Sequence, residues 1–359
     1  MNQSLASGAS TEGVSAPHRT LIGYASPAVP REVLYAAGCR PFFLGNAAAD
    51  ASASSAFLES EFFSARSSKV FNEISSGTAQ PVRAVVLSRT SEQEYKLFLY
   101  LSELGRTSRI ANPTEIHIFN LLQSGGDCVR AYGLKQVSLL FQEAKKWSGV
   151  DSGSEALGAA VGSCNQARKA LAEGLKLRSQ SQRATGCGVI DLVNAFYSLD
   201  PADFCDYAKT WSADWEAKRT LSGSRILLLG DIPTDGSLHA FVEAENARVS
   251  VEDHWLGERA AIQPIDESAE AIAAIADYYM NCIVTPRHHS RPQGEVWLQQ
   301  MSDRFDGAVF FYSQSDSVEG WDYPWQSHFL TEHGKPFLVL RDLSEASKST
   351  FKAFLERLS

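Results

Sequence analysis

The sequence predicts an α/β protein built from two doubly wound parallel-sheet units joined by a helical insert. Three observations predict it. Short apolar runs such as Arg225-Ile-Leu-Leu-Leu-Gly230 and Gly307-Ala-Val-Phe-Phe-Tyr312 have the unbroken hydrophobicity of strands covered on both faces. Stretches of helical periodicity alternate with such runs, which is the order of a doubly wound sheet. The succession strand, loop, helix, strand over Thr20 to Leu44 returns over Ser224 to Val251, and the unit around Ala84 to Ser88 returns around Ala308 to Ser313. The divisions this suggests are a disordered N-terminus over 1–18, a first α/β domain over 19–134, a helical insert over 135–222 and a second α/β domain over 223–359.

Taken in order, Thr20 to Ala25 reads as the first strand. Pro30 to Ala37 reads as a helix, with proline in the first turn where its missing N–H costs nothing and Gly38 as its stop. Pro41 to Leu44 is a strand, Asn46 to Ser55 a connection rich in small residues, and Ala56 to Ile74 a helix. The strand Arg83 to Leu87 opens into Ser88-Arg-Thr-Ser-Glu92, which feeds a helix whose Leu97, Leu101 and Leu104 share one face. Glu115 to Phe119 closes the first unit.

From Lys135 to Lys176 the pattern is helical, broken at Gly149 to Ser154, where Ser152 or Ser154 is placed to cap the next helix. Gly188 to Lys218 is helical again, with Pro201 starting a segment. The second unit runs from strand Ser224 to Gly230 through loop Asp231 to Gly236, helix Ser237 to Glu245 and strand Ala247 to Val251. After strand Gly307 to Tyr312, a helix follows Tyr323-Pro324, then strand Pro336 to Leu340 and a final helix over Ser344 to Leu358.

The 359 residues suffice for two cores, and the formal charge of -9 argues against binding a polyanion by bulk electrostatics. Nucleic acid is therefore not an expected partner. The six cysteines, Cys39, Cys128, Cys164, Cys187, Cys205 and Cys282, form no C-x-x-C pair and are expected to be reduced, mostly core, residues. With no basic start before an apolar run and no window of about 18 apolar residues, a cytoplasmic chain without membrane contact is expected.

The chain has no G-x-G-x-x-G after a strand, no Walker loop and no G-x-S-x-G elbow. His288 and His289 are adjacent, so on a regular element they point apart and do not form a metal pair. In an open α/β sheet ligands sit at the carboxyl ends of strands, which directs attention to Ser313, Ser315, Asp316 and Glu319. Asp316 and Glu319 are either an acid and base pair or anionic helix caps. Trp321 and Tyr323 either pack in the core or wall a ligand. Arg259 lies on the same rim, and either holds a phosphate or carboxylate or pairs with Glu252 or Asp253; Arg287 and Arg291 pose the same choice.

Several of these stretches are diagnostic together. Ile22-Gly-Tyr with Pro30, Glu32 and Tyr35-Ala-Ala-Gly38, then Ser224 to Gly230, Gly257 with Arg259, Asp306-Gly-Ala-Val-Phe with Tyr323-Pro324, Lys335-Pro, and Phe351-Lys-Ala-Phe-Leu-Glu356 follow one another in the order of a known family. From about residue 20 to the C-terminus the chain resembles the large subunits of the (R)-2-hydroxyacyl-CoA dehydratase and benzoyl-CoA reductase family. That resemblance implies two flavodoxin-like domains, pairing of unlike homologous subunits, and a CoA thioester reduced by one electron to a ketyl radical. It also implies a [4Fe-4S] cluster held by cysteines from three loops, since soft thiolates hold such clusters.

This chain departs from the family at all three ligand positions. The first falls on Phe62, or at latest Ser64, before Arg66-Ser67; the second falls on Ser91 and the third on Ser315. Phe62 is expected to fill volume that the cluster would occupy. No cofactor is expected in this chain, and an iron-sulfur cluster only on a partner subunit. Two readings follow. In the first, the chain is a cluster-free subunit giving an acyl-CoA pocket wall and an interface, with Arg66, Arg259 and Trp321 as substrate contacts. In the second, it is a stand-alone enzyme in which Ser91, Ser315, Asp316 or Glu319 performs acid/base or hydrolytic chemistry on an acyl thioester. A scaffold without ligand is a third.

Overall fold

A computed structural model describes residues 19–45, 56–59, 62–75, 82–107, 109, 114–122, 124–255, 257–261, 263–281, 291–316 and 318–358. Residues 1–18, Arg287, the His288–His289 pair and Cys282 lie outside them.

Two four-stranded parallel sheets form the frame. In the first, strands β1 (Leu21–Tyr24), β2 (Arg40–Phe43), β3 (Ala84–Ser88) and β4 (Glu115–Phe119) lie in the order β2-β1-β3-β4. In the second, β5 (Ser224–Gly230), β6 (Ala247–Glu252), β7 (Gly307–Phe311) and β8 (Phe337–Leu340) repeat that order as β6-β5-β7-β8. These are doubly wound, flavodoxin-like sheets, and in each the strand order reverses between the first and third strands. Such a reversal opens a crevice at the carboxyl ends of those strands.

Both faces of each sheet are covered, as continuous hydrophobic strands require. One face of the second sheet packs Leu228 and Val309 against Leu238 and Phe351, and the other packs Leu227 and Phe310 against Leu298 and Leu330. In the first sheet Val85 and Leu87 pack against Phe71 and Leu101, while Ile22 and Val86 join a core with Val137, Leu171 and Val189. The latter three residues come from the helices between the sheets, α4 (Asp127–Ser148), α5 (Ser154–Ser179) and α6 (Gly186–Ser198), which precede α7 (Pro201–Glu216). The insert is thereby fused to the core of the first sheet.

Three local expectations change. The helix expected from Ala56 to Ile74 is interrupted: Ala56 and Phe57 are helical, and a separate helix runs over Ala65–Ser75, where Ser64 Oγ accepts the Ser67 amide at 3.1 Å in the N-cap pattern and sets the start. Neither Ser152 nor Ser154 caps α5; its N-cap is Gly153, with no side-chain hydrogen bond. Two helices, Ala271–Asn281 and Arg291–Met301, stand where no element was expected. The first packs Ile275 and Tyr279 into the insert core.

Buried charges lock the layers together. Glu32 of helix α1 (Arg31–Ala36) accepts from Arg168 of α5 and from the Tyr279 hydroxyl at 2.8 Å. Arg178, near the end of α5, binds Glu252 and reaches Glu258 at 2.8 Å, and His239 lies 2.8 Å from the second oxygen of Glu252. Burial alone would push Glu252 up, but Arg178 and His239 hold it down at about 2. Glu32, a residue of the motif set, is thus a structural anchor.

Candidate functional site

A cavity of about 490 Å³ lies where the crevices of the two sheets meet. Its wall includes Ser26 after β1, Ser91 after β3, Asp231 after β5 and Ser315 after β7, so all four switch-point loops contribute. That volume suits a small-molecule site.

The first sheet contributes a cationic and amide wall. Ser91 is the N-cap of the helix Glu92–Arg106, its Oγ accepting the Glu94 amide at 3.1 Å. Gln93 follows and joins three loops. Its Oε1 accepts from the Ser64 amide at 2.9 Å and from Ser67 Oγ at 2.8 Å, while its Nε2 donates to the Ser315 carbonyl at 3.1 Å. Arg66 donates to the carbonyls of Ala25 and Leu44 and lies over the Phe43 and Trp255 rings, at 4.6 and 5.0 Å. Burial draws its guanidinium down to about 10, opposed by Glu94 and Glu73. Glu94, also in the wall, is pushed up to about 7 by burial against hydrogen bonds from Ser88.

The second sheet contributes an acidic wall. Gly230 ends β5 with φ 93°, and a Cβ there would run into the Phe311 carbonyl oxygen, so glycine is required at this turn. The turn presents Asp231, whose amide donates to that carbonyl at 2.8 Å. Ser313 Oγ donates to Asp231 and lies 3.1 Å from Ser315 Oγ. Burial raises the Asp231 carboxyl, which the Ser313 hydrogen bond opposes and Asp316 reinforces. Asp316 accepts the amides of Val318, Glu319 and Gly320 at 3.2, 2.9 and 2.9 Å, which is the capping role among the two expected. Glu319 is pushed up to about 8 by desolvation and by the carboxylates of Asp253, Asp231 and Asp316, with Arg259 opposing. His254 completes this wall as a neutral imidazole, depressed to about 3 by burial.

Of the residues singled out in the sequence, Ser91, Ser315, Asp316, Glu319 and Arg66 line this one cavity. Phe62 does not: its ring is 55 % exposed, with Lys96 Nζ 5.0 Å above it, so it fills no interior volume, and the residue of that loop in the wall is Ser64. Arg259 is buried and donates to Asp253 at 2.6 Å, the pairing alternative rather than an open anion site. Trp321 is 83 % exposed, neither core nor cavity wall, and Arg291 pairs with Glu295 at 2.7 Å on the surface. Asp231, Gln93, Glu94 and His254 were not anticipated. Asp231 had a signal, since it follows a strand end equivalent to that before Ser313.

The donor set does not fit an iron-sulfur cluster. The three loop positions present hydroxyls, and no described cysteine lines the cavity; Cys39 and Cys164 are buried elsewhere. Among the described residues no group of three or more His, Cys, Asp and Glu side chains is arranged to hold a metal ion. Gln93 also spans the space between the three loops.

Twin flavodoxin-like sheets whose switch-point loops share a cleft define a two-unit α/β class. Within it, the chain belongs to the family of 2-hydroxyglutaryl-CoA dehydratase, D-component, whose model matches residues 28–358. Among curated proteins none matches the chain. Among the described residues no helix is long and apolar enough to cross a membrane.

Proposed function

We propose that this chain is a cluster-free subunit or homologue within its family, whose cleft forms the wall of an acyl-CoA pocket and whose surface pairs with a homologous subunit carrying the iron-sulfur cluster. The observation that supports this most is Gln93, whose amide joins the loops of Ser64, Ser91 and Ser315 across the two sheets. The loops that the family resemblance assigns to cluster ligands keep their convergence but are held by hydrogen bonds instead of thiolates. Family membership supplies the acyl-CoA ligand class. Arg66 and Lys69, one helical turn apart on the wall, suit the anionic character of such a ligand, and the proposed setting is cytoplasmic.

The test is to purify the chain alone and with a homologous subunit, and to measure co-elution, iron and acyl-CoA binding. The lone chain is expected to be iron-free and to bind acyl-CoA, with binding lost in Ser67→Trp, which narrows the cavity. A brown, iron-rich lone chain would sink the cluster-free assignment. A folded chain that ignores acyl-CoA in both preparations would sink the ligand.

Glu319, whose carboxyl is pushed up to about 8, and Asp231 in one wall favour a second reading, in which the chain acts alone on an acyl thioester by acid/base or hydrolytic chemistry. Turnover of a thioester by the isolated chain, abolished in Ser315→Ala, would select it.

A further inference from the structure

We propose that Ser315 is a nucleophile whose proton is relayed through Ser313 to Asp231, and that it takes the acyl group of a small thioester or activated ester held in the cleft. The proposal rests on the second, hydrolytic reading of the cavity and names its nucleophile and proton path.

The direction of the relay follows from the inventory of protons. A serine hydroxyl has one hydrogen, and that of Ser313 is donated to Asp231 Oδ2. The contact of 3.1 Å between the two serine oxygens must then be a donation from Ser315 to Ser313. Ser315 Oγ is left with its lone pairs, in a side chain that lines the cavity, and with a continuous path for its proton to a carboxylate. Asp231 is fixed for this role by its own amide bond to the end of β7 and by the left-handed turn at Gly230.

The other hydroxyls of the rim are differently engaged. Ser91 Oγ caps a helix, and Ser64 Oγ is 3.0 Å from Ser67 Oγ while accepting the Ser67 amide. A matching chain at the end of β3, Thr90 to Ser88 to Glu94, starts from a secondary hydroxyl and ends on a carboxyl that also accepts the Ser88 amide at 2.7 Å. Its first hydroxyl is the more hindered of the two, and it already lies 3.4 Å from Glu94 itself. Asp316 cannot replace Asp231, because its oxygens face three backbone amides.

The atoms balance as follows. Attack forms the bond from Ser315 Oγ to the acyl carbon and breaks the carbon–sulfur bond; the Ser315 proton passes to Ser313 as that of Ser313 passes to Asp231. The thiolate leaves as a thiol with the proton carried by Glu319 in the same wall. Water then cleaves the Ser315 ester, and the proton on Asp231 returns through solvent to Glu319. The sum is thioester plus water to carboxylic acid plus thiol.

The full-length chain is treated with a fluorophosphonate, which marks activated serines, and the adduct is located by mass spectrometry. A single adduct on Ser315 is expected, forming faster as pH rises through the titration of Asp231. Ser313→Ala and Asp231→Asn should each slow it by about a hundredfold, with Ser313→Thr restoring the rate and circular dichroism confirming the fold. No adduct on the folded chain, an adduct on Thr90 or Ser91, or an unchanged rate and pH profile in Asp231→Asn would overturn the relay. Acyl-CoA binding by calorimetry on the same samples separates the two ideas: binding without an adduct discards the nucleophile alone, and an adduct without binding discards the ligand class alone.

Discussion

Glu319 shows how a residue's neighbours outweigh its type. In the sequence it is a loop glutamate three residues after Asp316, equally suited to cap a helix or to titrate. Desolvation, reinforced by Asp253, Asp231 and Asp316 and opposed by Arg259, lifts its carboxyl from 4.5 to about 8. A carboxyl raised in the folded state favours folding least when ionised, so its stability contribution is fully present below pH 4.5 and is lost as pH rises through about 8. Glu319→Gln should therefore match the parent below pH 4.5 and become the more stable above pH 8, as read from urea midpoints at a series of pH values. A constant difference across that range would remove the raised-carboxyl account. Gln93 makes the complementary point. Nothing in a polar residue at a helix start announces bonds to positions 29 residues before and 222 after it; only the approach of the two sheets creates its partners.

At the scale of elements, capping explains where helices begin and which serines are committed. In the sequence Ser91 is a candidate for catalysis and the position of a lost metal ligand, and in the structure its oxygen receives the first-turn amide of Glu94. Ser91→Ala should cost about 1 kcal/mol, the usual worth of a lost N-cap, while Ser91→Asp should retain most of the stability. Chemical denaturation distinguishes these. Equal stability of all three proteins would mean that the cap contributes nothing. The strands were legible to within a residue or two because a strand covered on both faces needs an uninterrupted apolar run. The helices Ala271–Asn281 and Arg291–Met301 were not read: the segment between Arg259 and Asp306 lacks a strand to punctuate it, and the apolar face of Ile275 and Tyr279 has meaning only against the insert core.

For the whole molecule, the insert is held to the first unit through Glu32 and Arg168 and to the second through Arg178 with Glu252 and Glu258. Removing one partner of a buried pair leaves the other charged and desolvated. Arg178→Ala should cost on the order of 3–5 kcal/mol at neutral pH. Because Glu252 is depressed from 4.5 to about 2, its part of that stability is present above pH 4.5 and lost as pH falls through 2. The gap between parent and variant should therefore narrow in acid, as measured by urea titration at pH 7 and pH 3. A gap that stayed constant would place the loss in packing rather than charge. Both anchors tie the insert to the two units whose loops meet at the cavity, although none of these five residues lines it.

By itself the sequence determined the class: hydrophobic runs specify covered strands, their alternation with helices specifies doubly wound sheets, and the missing sulfur at Ser91 and Ser315 excludes the family's usual ligand set whatever the packing. These follow from local composition, which needs no partner. Only the tertiary structure decided that Ser64 rather than Phe62 faces the cleft, that Arg259 is spent on Asp253, that Asp231 stands behind Ser313 and Ser315, and that Gln93 spans the loops. Each is a contact between segments 6 to 222 residues apart, and the direction of a side chain and the proton affinity of a carboxyl are set by what such distant segments bring beside it.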